Sequence, residues 1–241
     1  MLANKITGRF LQIADSDKAQ HLSRFFKTGE GEYGYGDKFL GICVPQTRRL
    51  VKEFKTEADV ECCIKLIHSE WHEIRLGGFL LLIELYRKAK KSKDVSTTEK
   101  IVNIYLEHID YGNNWDLVDL VCAHILGDWL IDHPQQRTVL DELSEPGRSL
   151  WHQRVAIVTT LALIRAGQFA DTIRLSKKLL SHKHDLIHKA TGWMLREMGK
   201  RGGYDELISF LDSYATIMPR TALRYSIERL PENLRQYYLR K

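Results

Sequence analysis

The sequence predicts an all-α chain built from stacked helix pairs, and three observations carry that expectation. Apolar residues recur at three- and four-residue intervals, as at Val60, Ile64 and Ile67 or at Ile101, Ile104 and Tyr105, and no convincing stretch alternates with the two-residue period of a strand. With 5 Pro and 16 Gly in 241 residues, there is room for long helices and little for a turn-rich β-sandwich. Polar breaks return at a nearly constant distance, which marks an internal repeat.

In chain order, the first interruption is a glycine-rich segment over residues 27–37. Gly29, Gly31 and Gly34 match a dinucleotide fingerprint in form, but no strand precedes them and no strand–helix alternation surrounds them, so the segment reads as a loop. Further breaks fall at residues 88–95, His133-Pro134, Glu145-Pro146-Gly147, Ala166-Gly167, Gly202-Gly203 and Met218-Pro219. They leave helical segments of about 10–18 residues. The basic run Arg87 to Lys93 is expected to be a solvated loop. Five segments each open an apolar helix after a polar stretch, anchored on Arg75, Asp119, Arg154, Lys189 and Arg224, at intervals of 44, 35, 35 and 35 residues. That period is the period of a helix-pair solenoid of about six or seven pairs, in which the second helices line a concave surface. Residues 1–241 read as one such domain.

Composition limits the function classes. A chain with 44% hydrophobic and 28% charged residues can form a core, and 36 Lys and Arg against 31 Asp and Glu make it mildly basic, at +5. Disorder, collagen and disulfide scaffolds are excluded. The longest apolar run, Leu76 to Ile83, is far shorter than the roughly 20 residues that cross a bilayer. Arg9, Asp15 and Asp17 interrupt any signal peptide, and Cys43, Cys62, Cys63 and Cys122 lack both zinc and disulfide spacing. A reduced cytoplasm is the compartment expected.

Residues at equal phase in stacked helices form one row. Four of the five anchors are basic and the fifth, Asp119, is a carboxylate, the pattern of a polyanion-binding groove that keeps one group of opposite sign. Trp115 lies four residues before Asp119, so both project from one helix face, with Asn113 or Asn114 as cap. The plain alternative for Asp119 is an ion pair with a neighbouring arginine. Asp116, roughly 100° from Trp115, is expected only to complement the helix dipole. Lys189, Trp193 and Arg196 share a stripe, and Trp115 and Trp193 are expected to face one another across the groove. Trp71, Trp129 and Trp151 are assigned to the core. His182, His184 and His188 straddle a loop and lack the remaining ligands of a tetrahedral site, so no metal is expected.

Three segments carry a family resemblance: Phe39 to Arg48, Trp115 to Asp119, and Gly192 to Glu197, supported by Trp151 to Arg154. On these the chain resembles the AlkD-like DNA alkylation repair family, HEAT-like all-helical solenoids that act as DNA glycosylases on alkylated purines. The resemblance implies that Asp119 is the catalytic carboxylate, that Trp115 and Trp193 flank the lesion, and that Arg154 binds its phosphate. Arg48 and Arg196 would be further DNA contacts, beside Arg75, Lys189 and Arg224 of the anchor row. Where the family's pattern suggests an aromatic on an early helix, this chain has Phe25 and Phe26, without a phenolic hydroxyl. The implied activity is hydrolysis of the N-glycosidic bond of cationic 3-alkyladenine or 7-alkylguanine in duplex DNA. It would need no metal or organic cofactor and be performed by a monomer in the cytoplasm, at the nucleoid. The rivals are a DNA-structure-binding protein without catalysis and a protein-interaction solenoid.

Overall fold

The computed structural model describes residues 2–241, and helices build it; the β-pairing among the described residues is one isolated bridge between Lys38 and Trp71. The chain forms two compact units, divided after Leu117. The first holds α1 (Leu2–Gln12), α2 (Ser16–Phe25), α3 (Val44–Phe54), α4 (Val60–Ile67), α5 (His72–Lys91), α6 (Val95–Glu107) and a 3-10 turn at Ile109–Tyr111. The division falls inside the five-residue helix α7 (Trp115–Asp119). The second unit continues with a 3-10 turn at Cys122–His124, α8 (Leu126–Asp132), a 3-10 turn at Pro134–Gln136, α9 (Thr138–Leu143) and α10 (Leu150–Arg165). It ends with α11 (Ala170–Lys178), α12 (Asp185–Lys200), α13 (Tyr204–Tyr214), α14 (Arg220–Ser226) and α15 (Glu232–Arg240).

In the first unit α5 is the core helix. Every residue from His72 to Ile83 is buried, and α1, α3, α4 and α6 pack around it. A helix apolar on all sides can only be stable when enclosed in this way. The basic run at its end departs from the sequence expectation. Residues 87–91 are helix, not loop, because Lys88, Lys90 and Lys91 meet the negative end of the α5 dipole, and the chain turns only at Ser92 and Lys93.

In the second unit α8, α10, α12 and α14 pack in succession, with α9 and α11 against α10, α13 against α12 and α15 against α14. Two glycines permit the close crossings. A Cβ at Gly127 would lie 2.7 Å from the Thr159 carbonyl oxygen of α10, and one at Gly192 would lie 2.4 Å from the Ala222 oxygen of α14. The 35-residue interval is the register of these helices. Asp119, Arg154, Lys189 and Arg224 are each the fifth residue of α7, α10, α12 and α14, and Arg75 is the fourth of α5. The helix carrying Asp119 is the exception in form: it stops there, and the chain passes through a 3-10 turn before restarting as α8. Cys62, Cys63 and Cys122 are buried free thiols and Cys43 is an exposed one. No described helix is long and apolar enough to cross a membrane.

Candidate active site

The first unit gathers its buried charged side chains, Asp37, His72, Glu73, Arg75 and Asp116, around the start of α5. Glu73, 2% exposed, accepts the backbone N–H groups of Leu40, Gly41 and Ile42 at 2.8, 2.9 and 3.0 Å, and Gly41 supplies the positive φ of +80° that lets the loop curl around the carboxylate. His72 sits between two carboxylates, with Nδ1 2.7 Å from Asp37 Oδ2 and Nε2 2.9 Å from Asp116 Oδ2. Burial disfavours its charge, but Asp116 and then Asp37 outweigh this and bring its pKa up to about 9. Burial likewise raises the Asp37 carboxyl, and the charges of His72 and Arg75 overcome it to hold Asp37 below the usual range. Asp116 therefore does more than complement a dipole: it ties the first turn of α7 to α5.

Trp115 opens α7, its backbone N–H held at 2.9 Å by the side-chain oxygen of the preceding Asn114. The indole is half-buried and lies on Phe26 at 5.2 Å between ring centroids and 24° between planes, with Phe25 edge-on at 6.0 Å. Phe26 stacks in turn on Phe39, and Phe39 on His72 at 4.4 Å. The aromatic pair before the glycine-rich loop thus supports the Trp115 ring, while Phe25 itself stays 57% exposed.

In the second unit Asp119 is held by Arg154 in a two-pronged pair, Nε to Oδ1 at 2.8 Å and the second terminal nitrogen to Oδ2 at 2.7 Å. The other terminal nitrogen donates to the Leu186 carbonyl at 2.5 Å. The side chains are 6% and 14% exposed for arginine and aspartate. Parallel N–H···O bonds to an ionised carboxylate are strong and fix its plane as well as its charge. Cys122, buried beside Asp119, has its thiol pushed up to about 12, first by burial and then by that carboxylate, so it stays protonated and is no nucleophile.

The family description "DNA alkylation repair enzyme" matches residues 6–230. The chain belongs to the DNA alkylation repair enzyme family. A solved structure described as a predicted DNA alkylation repair enzyme from Enterococcus faecalis superposes with a TM-score of 0.68, covering 91% of this chain and 97% of that one at 18% identity. That likeness is one of fold. No match was found among curated proteins.

For this DNA alkylation repair enzyme family member, two of the expected DNA contacts, Arg75 and Arg154, have protein partners in the structure. Arg75 is 5% exposed, and its guanidinium gives its N–H groups to Asp37, Asn113 and the carbonyls of Tyr111, Ser69 and Glu70. Those five bonds use the five donors an arginine has, so none is left for a phosphate. Arg154, also 5% exposed, clamps Asp119 instead of presenting its charge to solvent, because residues of opposite sign at equal phase in stacked helices meet first. Arg48 and Arg224 are exposed, Lys189 pairs with Asp185 at 2.8 Å while 41% exposed, and Arg196 pairs with Glu228. Trp193 lies half-buried on α12, one turn after Lys189. Trp129 and Trp151 are core residues as expected, whereas Trp71 is only half-buried. The ring nitrogens of His182, His184 and His188 serve local bonds, to Gln153, to the backbone of His184 and Leu186, and to the His182 carbonyl.

The sequence reading missed His72 and Asp37 and undervalued Asp116. One signal was available: His72, Glu73 and Arg75 head a helix that is otherwise apolar, and polar groups in a core helix must find buried partners.

Proposed function

We propose that this protein is a DNA glycosylase that hydrolyses the N-glycosidic bond of cationic alkylated purines, such as 3-alkyladenine and 7-alkylguanine, in duplex DNA. The observation that carries the reading is the Asp119 carboxylate, fixed through both oxygens by Arg154 on the short helix that begins with Trp115, in a chain of the DNA alkylation repair enzyme family. A ring-alkylated purine already carries positive charge, so it departs as the neutral base with the bonding electron pair and needs no general acid. The sugar left behind has oxocarbenium character. Asp119 stabilises that charge and orients the water whose oxygen bonds to C1′, the water proton passing to solvent. Trp115 and Trp193 offer indole faces to the cationic base. Lys189, Arg196, Arg48 and Arg224 supply charge for phosphates and give affinity that is independent of sequence and weakened by salt. The protein acts as a monomer on nucleoid DNA, without metal or organic cofactor.

Release of 7-methylguanine from alkylated duplex DNA under single turnover tests the proposal. Asp119→Asn keeps size and removes the anion. Because Arg154 already offsets part of that anion, the expected loss is at the low end for one transition-state stabiliser, about 10²-fold or ~2.7 kcal/mol. Equal rates for wild type and Asp119→Asn would refute the assignment. One observation favours a second reading, a DNA-structure binder without catalysis: both Asp119 oxygens are taken up by Arg154, as in a purely structural ion pair. That protein would bind duplex DNA with salt-dependent affinity and release no base.

A further inference from the structure

His72 has no part in the bond-breaking chemistry, yet both of its ring nitrogens are held by buried carboxylates. It is 2% exposed, covered by Phe39 and, at 5.2 Å, by Phe26. Ionised carboxylates only accept hydrogen bonds, so a ring held between Asp37 and Asp116 must carry a proton on both nitrogens. The charges balance: Asp37 and Asp116 face His72 and, through Asp37, Arg75. Asp116, 6% exposed, has one carboxylate oxygen on His72 and the other buried without a hydrogen-bond partner. The imidazolium is therefore what makes a carboxylate tolerable at this position, immediately after Trp115. Removing it leaves a buried, uncompensated anion in the first turn of α7, and that turn must move to reach water.

We propose that His72 is a positioning residue for the candidate site: as an imidazolium between Asp37 and Asp116 it fixes the first turn of α7 and so sets the Trp115 indole. The aromatic column from His72 through Phe39 and Phe26 to Trp115 transmits the same constraint by packing. The effect on excision rests on the glycosylase reading, whereas the placement of Trp115 is measured separately.

The experiment is NMR of the full chain labelled with 15N at histidine side chains and tryptophan indoles, from pH 6.5 to 10. His72→Gln identifies the histidine signals and Trp115→Phe the indole. At pH 7.5 the His72 ring is expected to show both N–H groups. The Trp115 indole resonance should move as that ring loses a proton at high pH. In Asp116→Asn, whose amide can donate to a neutral ring, the same change should come at lower pH. Single-turnover excision in Asp116→Asn and His72→Gln should fall about tenfold with DNA affinity kept within about twofold. A singly protonated ring at pH 7.5 would overturn the proposal. So would an indole resonance that ignores both variants and the titration while melting temperature alone falls. If the wild type releases no alkylated base, the glycosylase reading fails, and the indole resonance still decides whether His72 sets Trp115.

Discussion

Replacing Arg154 by Ala separates its two possible roles, a phosphate contact and a clamp on Asp119. The guanidinium is 6% exposed and holds both oxygens of a carboxylate that is 14% exposed. Breaking a buried pair from one side costs ~3–5 kcal/mol, and because Asp119 has some access to water the cost should sit near the low end, about 3 kcal/mol. The Leu186 carbonyl also loses its donor. With its plane no longer fixed, Asp119 should lose part of its transition-state effect, and excision should slow by about tenfold, or ~1.4 kcal/mol. Duplex affinity should keep its salt dependence, since a clamp releases no counterions. A phosphate contact would instead take about 0.9 from the slope of log K against log salt. Urea unfolding, single-turnover excision and binding from low to moderate salt measure the three quantities on one variant. A slope that falls by about one unit with stability unchanged would refute the clamp.

Arg75→Ala should lower stability by about 3–5 kcal/mol and leave the salt slope of DNA binding unchanged, as fits an arginine whose donors are all used internally; a reduced slope would restore it as a DNA contact. Lys189→Ala and Arg224→Ala should each reduce the slope by about 0.9, with stability nearly unchanged; two unaltered slopes would move the DNA to another face. The His72 pKa is raised from 6.5 to about 9, so the stability it contributes is complete below pH 6.5, declines as pH rises and is lost above 9. The total is on the order of 3 kcal/mol, measured as the drop in unfolding free energy between pH 6.5 and pH 9.5. His72→Gln should abolish that alkaline drop, and an equal drop in the variant would assign it elsewhere.

The amino-acid sequence by itself determined what depends on local period: helices from three- and four-residue spacing, and the 35-residue interval that makes Asp119, Arg154, Lys189 and Arg224 the fifth residue of their helices. Because that interval repeats a backbone register, the neighbourhood of Asp119 and Arg154 was legible without coordinates. Tertiary structure decided which charges stay at the surface. Arg75 and Lys189 share a column in the sequence, but Arg75 heads a helix enclosed on all sides and must spend its donors on Asp37, Asn113 and nearby carbonyls, whereas Lys189 is 41% exposed. The bonds that make His72 cationic join it to Asp37 and Asp116, 35 residues before and 44 after. Taken alone, a histidine, a loop aspartate and a first-turn aspartate each have an ordinary local explanation. Only burial, which removes water as a partner, forces the three to satisfy one another.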